Sequence, residues 1–191
     1  MKYIESNFQK TLEVKQSKFI AHFVPYKNYT STLEKLKKEH PKARHFVAAY
    51  RYLNEYNQIV EYSTDDGEPK GTSGKPSLMV LQGANIINSA VIVVRYFGGT
   101  KLGTGGLVRA YSDAINLVLD SSQLLDYKQE ISKKIYFDYT NFRKIEYECK
   151  QHKICVVEKI FSDKTVFEIR TDELNMDIFL KKIERLLKRV E

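Results

Sequence analysis

The sequence predicts an α+β protein of two domains, and three observations lead to this fold class. The chain has 191 residues, 42% of them hydrophobic, which is enough for one or two domains with buried cores. Segments rich in β-branched residues alternate with segments of helical periodicity. All nine glycines lie between Gly67 and Gly106, and neither glycine nor proline occurs after Gly106, so the composition changes along the chain.

Capping, turn and periodicity signals predict seven elements in the first domain. The first four are a strand over 14–24, a helix that begins at the capping-box spacing of Ser31 and ends at Pro41, and two paired strands over 46–52 and 59–63. The other three are a short helix over 77–82, a strand over 90–97 that is buried on both faces, and a long helix over 105–122. The buried face of the long helix is predicted to comprise Leu107, Ala110, Tyr111, Ala114, Leu117 and Val118.

The remainder of the chain predicts a smaller α+β domain. Its elements are a strand over 131–139, a helix over 141–151, a hairpin over 154–161 and 165–170, and a final helix with apolar residues from 176 to 190. The order β-α-β-β-α suggests a ferredoxin-like fold. We place the boundary between Ser121 and Glu130, which gives domains 1–128 and 129–191.

The net charge and the absence of targeting signals limit the classes of function to consider. The net charge of +7 favours polyanions such as RNA, although many basic proteins bind none. The segment Met1–Ser6 lacks an apolar core, the longest apolar run is Ala90–Val94, and two cysteines form no disulfide framework. We therefore expect a cytoplasmic protein.

A strand, a glycine-rich loop and a helix follow one another over 90–122. Backbone N–H groups in such a loop and at a helix N-terminus form a site for phosphate or another anion. The alternative is that the glycines only permit tight packing of strand against helix. The candidate residues for binding an anion or nucleic acid are Arg95, Tyr96, Gly98, Gly99, Lys101, Gly103, Thr104, Gly105, Gly106 and Arg109, with Lys70 and Lys75 from the preceding loop.

Three carboxylates, Asp65, Asp66 and Glu68, lie within four positions of that preceding loop. They could bind Mg²⁺, supply an acid/base pair, form a turn through bonds to nearby backbone, or contact a protein partner. The glycine loops match neither a Walker A loop nor a dinucleotide fingerprint. We assign no catalytic residue, no metal ligand and no cofactor.

The final predicted helix carries a second set of basic residues along one face. Such a stripe could follow phosphates, or it could be an ordinary solvated face. Its members are Lys181, Lys182, Arg185, Lys188 and Arg189.

Several motifs of the first domain occur together in one known family. They are Ser17-Lys18-Phe19-Ile20, Ala43-Arg44-His45, Asp65-Asp66-Gly67-Glu68-Pro69, Gly71-Thr72-Ser73-Gly74-Lys75-Pro76 and the run from Arg95 to Tyr111. In these motifs the chain resembles the IMPACT family, in its two-domain bacterial, YigZ-like branch. The resemblance implies a first domain with the fold of ribosomal protein S5 domain 2 and a ferredoxin-like second domain similar to domain V of elongation factor G. It also implies a setting in translation, where eukaryotic relatives bind a regulator of a stress kinase.

The leading hypothesis is a translation-associated regulatory protein that binds RNA or the ribosome through the glycine-rich basic loops, without catalysis. An alternative is an enzyme acting on a phosphorylated or otherwise anionic small molecule with Mg²⁺. A further alternative is a regulator that docks on a protein partner through the acidic loop.

Overall fold

The computed structural model describes residues 1–191. The chain is 36% helix and 37% strand, a mixed α/β protein, as the sequence predicts. It divides into two compact units, which we call unit 1 (Met1–Tyr127) and unit 2 (Lys128–Glu191).

Unit 1 is built on a five-stranded antiparallel sheet and a separate two-stranded pair. The strands of the unit are β1 (Lys2–Tyr3), β2 (Phe8–Val14), β3 (Ser17–Pro25), β4 (His45–Leu53), β5 (Ile59–Thr64), β6 (Ser89–Tyr96) and β7 (Leu125–Asp126). The sheet has the order β2-β3-β6-β4-β5, and β1 pairs with β7. The central strand β6 is buried on both faces, as its apolar sequence predicts.

Three helices cover the two faces of this sheet. They are α1 (Tyr29–Glu39), α2 (Gly74–Gly83) and α3 (Gly103–Asp120). Val91 and Val93 of β6 share a core with α2 and α3, whereas Ile92 and Val94 share a second core with Leu36 of α1. The alternation of side chains along β6 therefore supplies both cores. No helix of the chain has the length and apolarity needed to span a membrane.

Three sequence predictions for unit 1 need correction. The predicted strand over 14–24 is a hairpin of β2 and β3, whose turn residues Lys15 and Gln16 have φ of 46° and 64°. Helix α1 begins at Tyr29 instead of Ser31. In α3 the buried stripe includes Ile115 and Leu119, while Leu117 is exposed, because the stripe is set by contacts with the sheet.

The short β1–β7 pair joins the beginning and the end of unit 1. Lys2 pairs with Asp126, and the N–H of Tyr127 donates to the carbonyl of Met1 at 2.9 Å. The backbone of Lys2 also donates to Asn85 and accepts from Ile87, each at 2.8 Å. Segments far apart in sequence are thus fixed to one another by backbone hydrogen bonds.

Unit 2 is a four-stranded antiparallel sheet with two helices. Its elements are β8 (Glu130–Phe137), α4 (Phe142–Gln151), β9 (Cys155–Phe161), β10 (Thr165–Asp172), α5 (Glu173–Ile183) and β11 (Leu187–Val190). The strand order is β11-β8-β10-β9. Phe137, Phe167, Met176 and Phe179 lie fully buried in its core.

The single helix predicted through residue 190 is wrong. Helix α5 ends at Ile183, a 3-10 turn follows over Glu184–Leu186, and Leu187 begins a strand paired with β8. The spacing of apolar residues fits a helix, but Leu187 lies opposite Phe137 in the sheet and packs against the same core. Tertiary pairing overrides the local periodicity.

Candidate functional site

The two motif-rich loops of unit 1 meet at one end of its sheet. At this end β6 finishes beside the starts of β3 and β4, since Tyr96 pairs with Lys18 and Arg95 with His45. The acidic loop (residues 65–73) follows β5 and leads into α2. The glycine loop (residues 97–102) follows β6 and leads into α3.

Asp65 binds the backbone at the start of α2. Its Oδ1 accepts hydrogen bonds from the N–H and hydroxyl of Ser73, at 3.1 and 2.8 Å, and from the N–H of Gly74 at 2.8 Å. Its Oδ2 accepts from the N–H of Gly71 at 2.7 Å. Burial acts to raise the pKa of Asp65, but these hydrogen bonds outweigh it and the pKa lies below its ordinary value. An internal carboxylate therefore occupies this helix N-terminus.

Asp66 fixes the acidic loop to the first residues of β4. Its Oδ2 accepts from the N–H of Phe46 at 2.6 Å, and its carbonyl accepts from Nδ1 of His45 at 2.8 Å. Asp66 has a φ of 44°, a left-handed conformation that Asp tolerates better than most residues. The position is therefore determined by the backbone as well as by the side chain.

Glu68 forms a buried ion pair that links the acidic loop to β6 and α3. Its Oε1 accepts from Nη1 of Arg95 at 2.6 Å and from the hydroxyl of Tyr111 at 2.9 Å. The side chains of Glu68 and Arg95 are only 3% and 7% exposed. Burial, followed by the charge of Glu68, raises the pKa of Tyr111 far above its ordinary value, so this hydroxyl stays a donor.

Arg95 and Tyr96 lie in different surroundings from those expected of anion ligands. The guanidinium of Arg95 lies 5.4 Å from the ring centre of Phe19 and 5.8 Å from that of Phe97, inside the unit. Tyr96 points to the opposite face of the sheet, where its hydroxyl lies 2.9 Å from Nδ1 of His40. Both side chains contact the protein itself in this structure.

The glycines of the second loop are required by its backbone. A Cβ on Gly98 would lie 2.0 Å from the carbonyl carbon of Gln16, which is too close for any side chain. The N–H of Gly98 donates to the hydroxyl of Ser17 at 3.1 Å. Gly99 and Gly103 have φ of 86° and 72°, which few other residues adopt. Packing and backbone conformation account for these three glycines.

The first turn of α3 differs, because its glycines expose the backbone. Thr104 and Gly105 are exposed, and a Cβ on Gly105 would have no neighbour within 4 Å. Gly105 has no positive φ, and a Cβ on Gly106 would meet only the Cβ of Leu102, at 3.1 Å. No side chain caps this helix, and no acidic residue lies in its first turn. The N–H groups of the turn therefore have no internal carboxylate partner.

A groove of about 340 Å³ lies beside this turn. It is lined by Val14, Lys15, Leu102, Gly106, Arg109, Ala110 and Asp113. Lys15, Lys101 and Arg109 are all exposed, and none of them forms an ion pair within 4.0 Å. Sequence reasoning missed Lys15, which the β2–β3 turn brings to α3. Recognition of a two-residue turn at 15–16 would have found it.

The remaining candidate residues are dispersed. Lys70 and Lys75 are exposed on the acidic loop and on α2, outside the residues that line the groove. The five basic residues near the C-terminus do not share one helix face: Lys181 and Lys182 lie in α5, Arg185 in the 3-10 turn, and Lys188 and Arg189 in β11. The prediction that these five residues form a stripe along one helix face is therefore wrong.

Residues 15–119, which include both loops and the first turn of α3, match the family model of the Impact N-terminal domain. The chain belongs to the IMPACT family. An IMPACT family member from Haemophilus influenzae is 32% identical over 177 residues, covering 87% of this chain and 82% of that protein. The IMPACT family member YvyE of Bacillus subtilis is 33% identical over 169 residues, covering 87% and 77%.

A solved structure described as a hypothetical protein superimposes with a TM-score of 0.69 at 26% identity. It covers 96% of this chain, and this chain covers 91% of it. The resemblance inferred from the motifs is therefore confirmed at the level of the family, and the alignments to both IMPACT relatives cover most of the chain.

Proposed function

We propose that this IMPACT family member is a translation-associated regulatory protein that binds RNA or the ribosome through the start of α3, without catalysis. The family supports the translational setting. We further assign unit 1 to the fold of ribosomal protein S5 domain 2, and unit 2 to the ferredoxin-like fold of elongation factor G domain V. The β-α-β-β-α-β order of unit 2 and its strand order β11-β8-β10-β9 support the second assignment.

The exposed glycine at position 105 carries the proposal. Glycine within a helix costs about 1 kcal/mol relative to alanine. Neither a positive φ nor a close neighbour requires glycine at this position. With three glycines among the first four residues of α3, a phosphate can approach the backbone N–H groups closely, which offsets the cost when a ligand is bound.

The charges around the turn favour a polyanion as that ligand. Lys101 lies just before α3, and Arg109 lies in the second turn of the helix. Lys15 and Arg109 both line the groove beside the first turn. Asp113 is the one acidic residue in the groove lining, so the balance is positive. Several unpaired cations around exposed N–H groups suit successive phosphates of a nucleic acid.

The carboxylates of the acidic loop already have partners within the protein, which favours binding at α3 over metal binding or catalysis in this loop. Both oxygens of Asp65 accept hydrogen bonds from the loop and α2, and Glu68 pairs with Arg95 and Tyr111. Mg²⁺ would have to compete with these partners. Asp66 likewise bonds the backbone of β4, so its substitution would change the fold as well as any docking surface.

The test compares two variants of equal charge. Lys15→Glu, Lys101→Glu and Arg109→Glu are combined in one variant, and Lys37→Glu, Lys38→Glu and Lys42→Glu, exposed residues in or just after α1, form the control. Filter binding to single-stranded RNA and co-sedimentation with ribosomes are measured from low to physiological salt. We expect at least tenfold weaker binding by the α3 variant, and a salt slope reduced by about 0.7 for each phosphate that the variant no longer neutralises.

The proposal fails if the wild-type chain binds neither RNA nor ribosomes at low salt. It also fails if both triple variants lose binding equally, because a general effect of net charge would then explain the result. Circular dichroism of each variant establishes that the fold is retained.

A further inference from the structure

The outer edge of β11 in unit 2 is unpaired. This strand is the outermost in the sheet and pairs only with β8. Glu191 exchanges both backbone hydrogen bonds with Lys134, at 2.8 and 2.9 Å. Because backbone groups alternate in direction along a strand, the N–H and C=O of Val190 point away from β8. A free edge of this kind can accept the backbone of another extended segment.

A groove of about 450 Å³ runs beside this edge. Its apolar lining comes from the end of α5 and from β11, and its charged lining from these two segments and the 3-10 turn between them. The lining residues are Leu180, Leu187 and Val190, with Lys181, Lys188, Arg189 and Glu184. The groove thus combines apolar contact area with basic side chains.

The positive excess of unit 2 lies in its last twelve residues, and three of their five basic side chains line this groove. Residues 128–179 contain ten Lys and Arg against ten Asp and Glu, whereas residues 180–191 contain five against two. The entire excess of three positive charges therefore lies in the last twelve residues. A partner with acidic side chains complements this surface, while a second copy of the chain would bring the same positive excess and be repelled.

An extended peptide fits the groove better than a nucleic acid does. Lys188 already pairs with Asp138 at 3.1 Å, and Arg189 pairs with Glu191, so neither side chain is free for the anionic groups of either partner. Lys181, which lines the groove, forms no ion pair within 4.0 Å and is available to an acidic side chain; Lys182 and Arg185 are also unpaired and lie in the same segment, outside the lining. Backbone groups at a strand edge match a peptide backbone, and the apolar residues match apolar side chains.

We infer that β11 and its groove bind an acidic, extended peptide segment of a protein partner, which adds to the sheet of unit 2 as a further strand. Backbone hydrogen bonds to Val190 give the alignment, apolar side chains enter between Leu180 and Leu187, and alternate acidic side chains face the lysines. This site is independent of the α3 surface, so either can fail without the other.

The test selects peptides from a random twelve-residue display library on the immobilised full-length chain. We expect enrichment of sequences in which Asp or Glu alternates with Val, Ile, Leu or Phe. The best peptide, labelled with fluorescein, is then titrated by fluorescence polarisation. Val190→Pro removes the outward N–H at an edge position where proline is tolerated, and Val190→Ala is its control for loss of the side chain.

We expect Val190→Pro to weaken binding at least tenfold and Val190→Ala to weaken it about threefold or less. Lys181→Glu with Lys182→Glu should weaken binding at least tenfold, whereas Arg143→Glu with Lys144→Glu, exposed on α4, should have less than a twofold effect. Circular dichroism of each variant checks folding, and hydrogen exchange should show protection of the Val190 amide when peptide binds.

Three outcomes would overturn the inference. One is the absence of any acidic-apolar consensus, and another is binding of the selected peptides that Val190→Pro leaves unchanged. The third is a single-stranded RNA that binds the chain and loses affinity through Lys181→Glu with Lys182→Glu but not through the α3 variant. That result would assign the basic residues to nucleic acid.

Discussion

Helices α2 and α3 begin at the same end of the unit 1 sheet, and the difference between their N-termini is informative. The start of α2 is occupied by Asp65, which accepts hydrogen bonds from three residues of the loop and the helix. The start of α3 has no capping side chain and no acidic residue, and it exposes Gly105. Both termini favour an anion because of their free N–H groups and the helix dipole.

The chain therefore satisfies one of these termini from within and leaves the other to solvent or a ligand. A helix start that needs an anion only for stability can take it from a neighbouring carboxylate, as α2 does. A start that serves binding must remain accessible. The two loops, both of which contain glycine and precede a helix, are thus suited to different roles.

The largest effect is expected from breaking the buried ion pair that links the acidic loop to β6 and α3. Glu68→Ala removes the carboxylate shared by Arg95 and Tyr111 and leaves a buried guanidinium without its charge partner. We expect unit 1 to lose about 3–5 kcal/mol of unfolding free energy. Urea unfolding, followed through the NMR signals of β6, measures the loss.

Glu61→Ala is the control for that measurement. Glu61 pairs with Arg51, whose guanidinium also donates to the carbonyl of Ile86 at 2.8 Å. Because Arg51 keeps this partner, the control should lose less than half as much. Equal losses would mean that the buried pair is no more important to unit 1 than this second pair.

A smaller effect is expected when the internal anion of α2 is neutralised. Asp65→Asn removes charge-assisted hydrogen bonds and should cost about 2 kcal/mol near neutral pH. Since the folded state lowers the pKa of Asp65, its contribution is complete above the ordinary value of 3.8 and is lost as the pH falls from that value through the lower pKa of the folded state. Wild type and variant should therefore converge in stability in acid.

Urea unfolding at several pH values tests this convergence, with Asp113→Asn as the control. Asp113 is an exposed carboxylate on α3 with no ion pair within 4.0 Å, so its neutralisation should change little at any pH. A constant difference between wild type and Asp65→Asn down to the lowest pH would show that the charge is not the cause.

A third change separates stability from binding at the start of α3. Gly105→Ala should raise the unfolding free energy of unit 1 by about 1 kcal/mol, because alanine is the better helix former and has space. The same change should weaken RNA or ribosome binding several-fold. Gly83→Ala is the matched control for Gly105→Ala, because Gly83 is the last residue of α2 and a Cβ on it would also have no neighbour within 4 Å. It should leave binding unchanged, and a Gly105 variant that binds normally would contradict the proposed site.

The smallest effect on stability is expected from making α3 resemble α2. Thr104→Asp places a carboxylate in the first turn of α3, where the helix dipole favours it by about 0.5 kcal/mol. The added carboxylate should also compete with an external anion and reduce RNA binding. Thr104→Asn has nearly the same shape without the charge, so comparison of the two in filter binding isolates the electrostatic part. Equal binding by both would show that no anion approaches this turn.

Much of unit 1 could be predicted from its sequence because local signals were strong there. Strand β6 has an unbroken apolar run, and the glycine loop with the following helix matches a recognisable motif. The β2–β3 turn was missed because Lys15 and Gln16 adopt left-handed conformations without a glycine to mark them. Had that turn been recognised, the predicted site would have included Lys15.

Two further errors arose from contacts between distant residues. Arg95 was expected to face a ligand, but Glu68, which precedes it by 27 positions, pairs with it in the interior. Likewise Leu187 belongs to a strand because β8 lies beside it, whereas its own neighbours in sequence suggest a helix. Neither partner can be identified from spacing along the chain.

The pairing of β1 with β7 has a consequence for how the chain is made. Synthesis produces Lys2 and Tyr3 long before their strand partners, Asp126 and Leu125. Lys2 can bond Asn85 and Ile87 once these have emerged, but the pairing of β1 with β7 must wait until nearly all of unit 1 has left the ribosome. Contacts this distant in sequence form slowly, so the β1–β7 hydrogen bonds, such as that from the N–H of Tyr127 to Met1, should be the last of the unit to become protected on a stalled nascent chain.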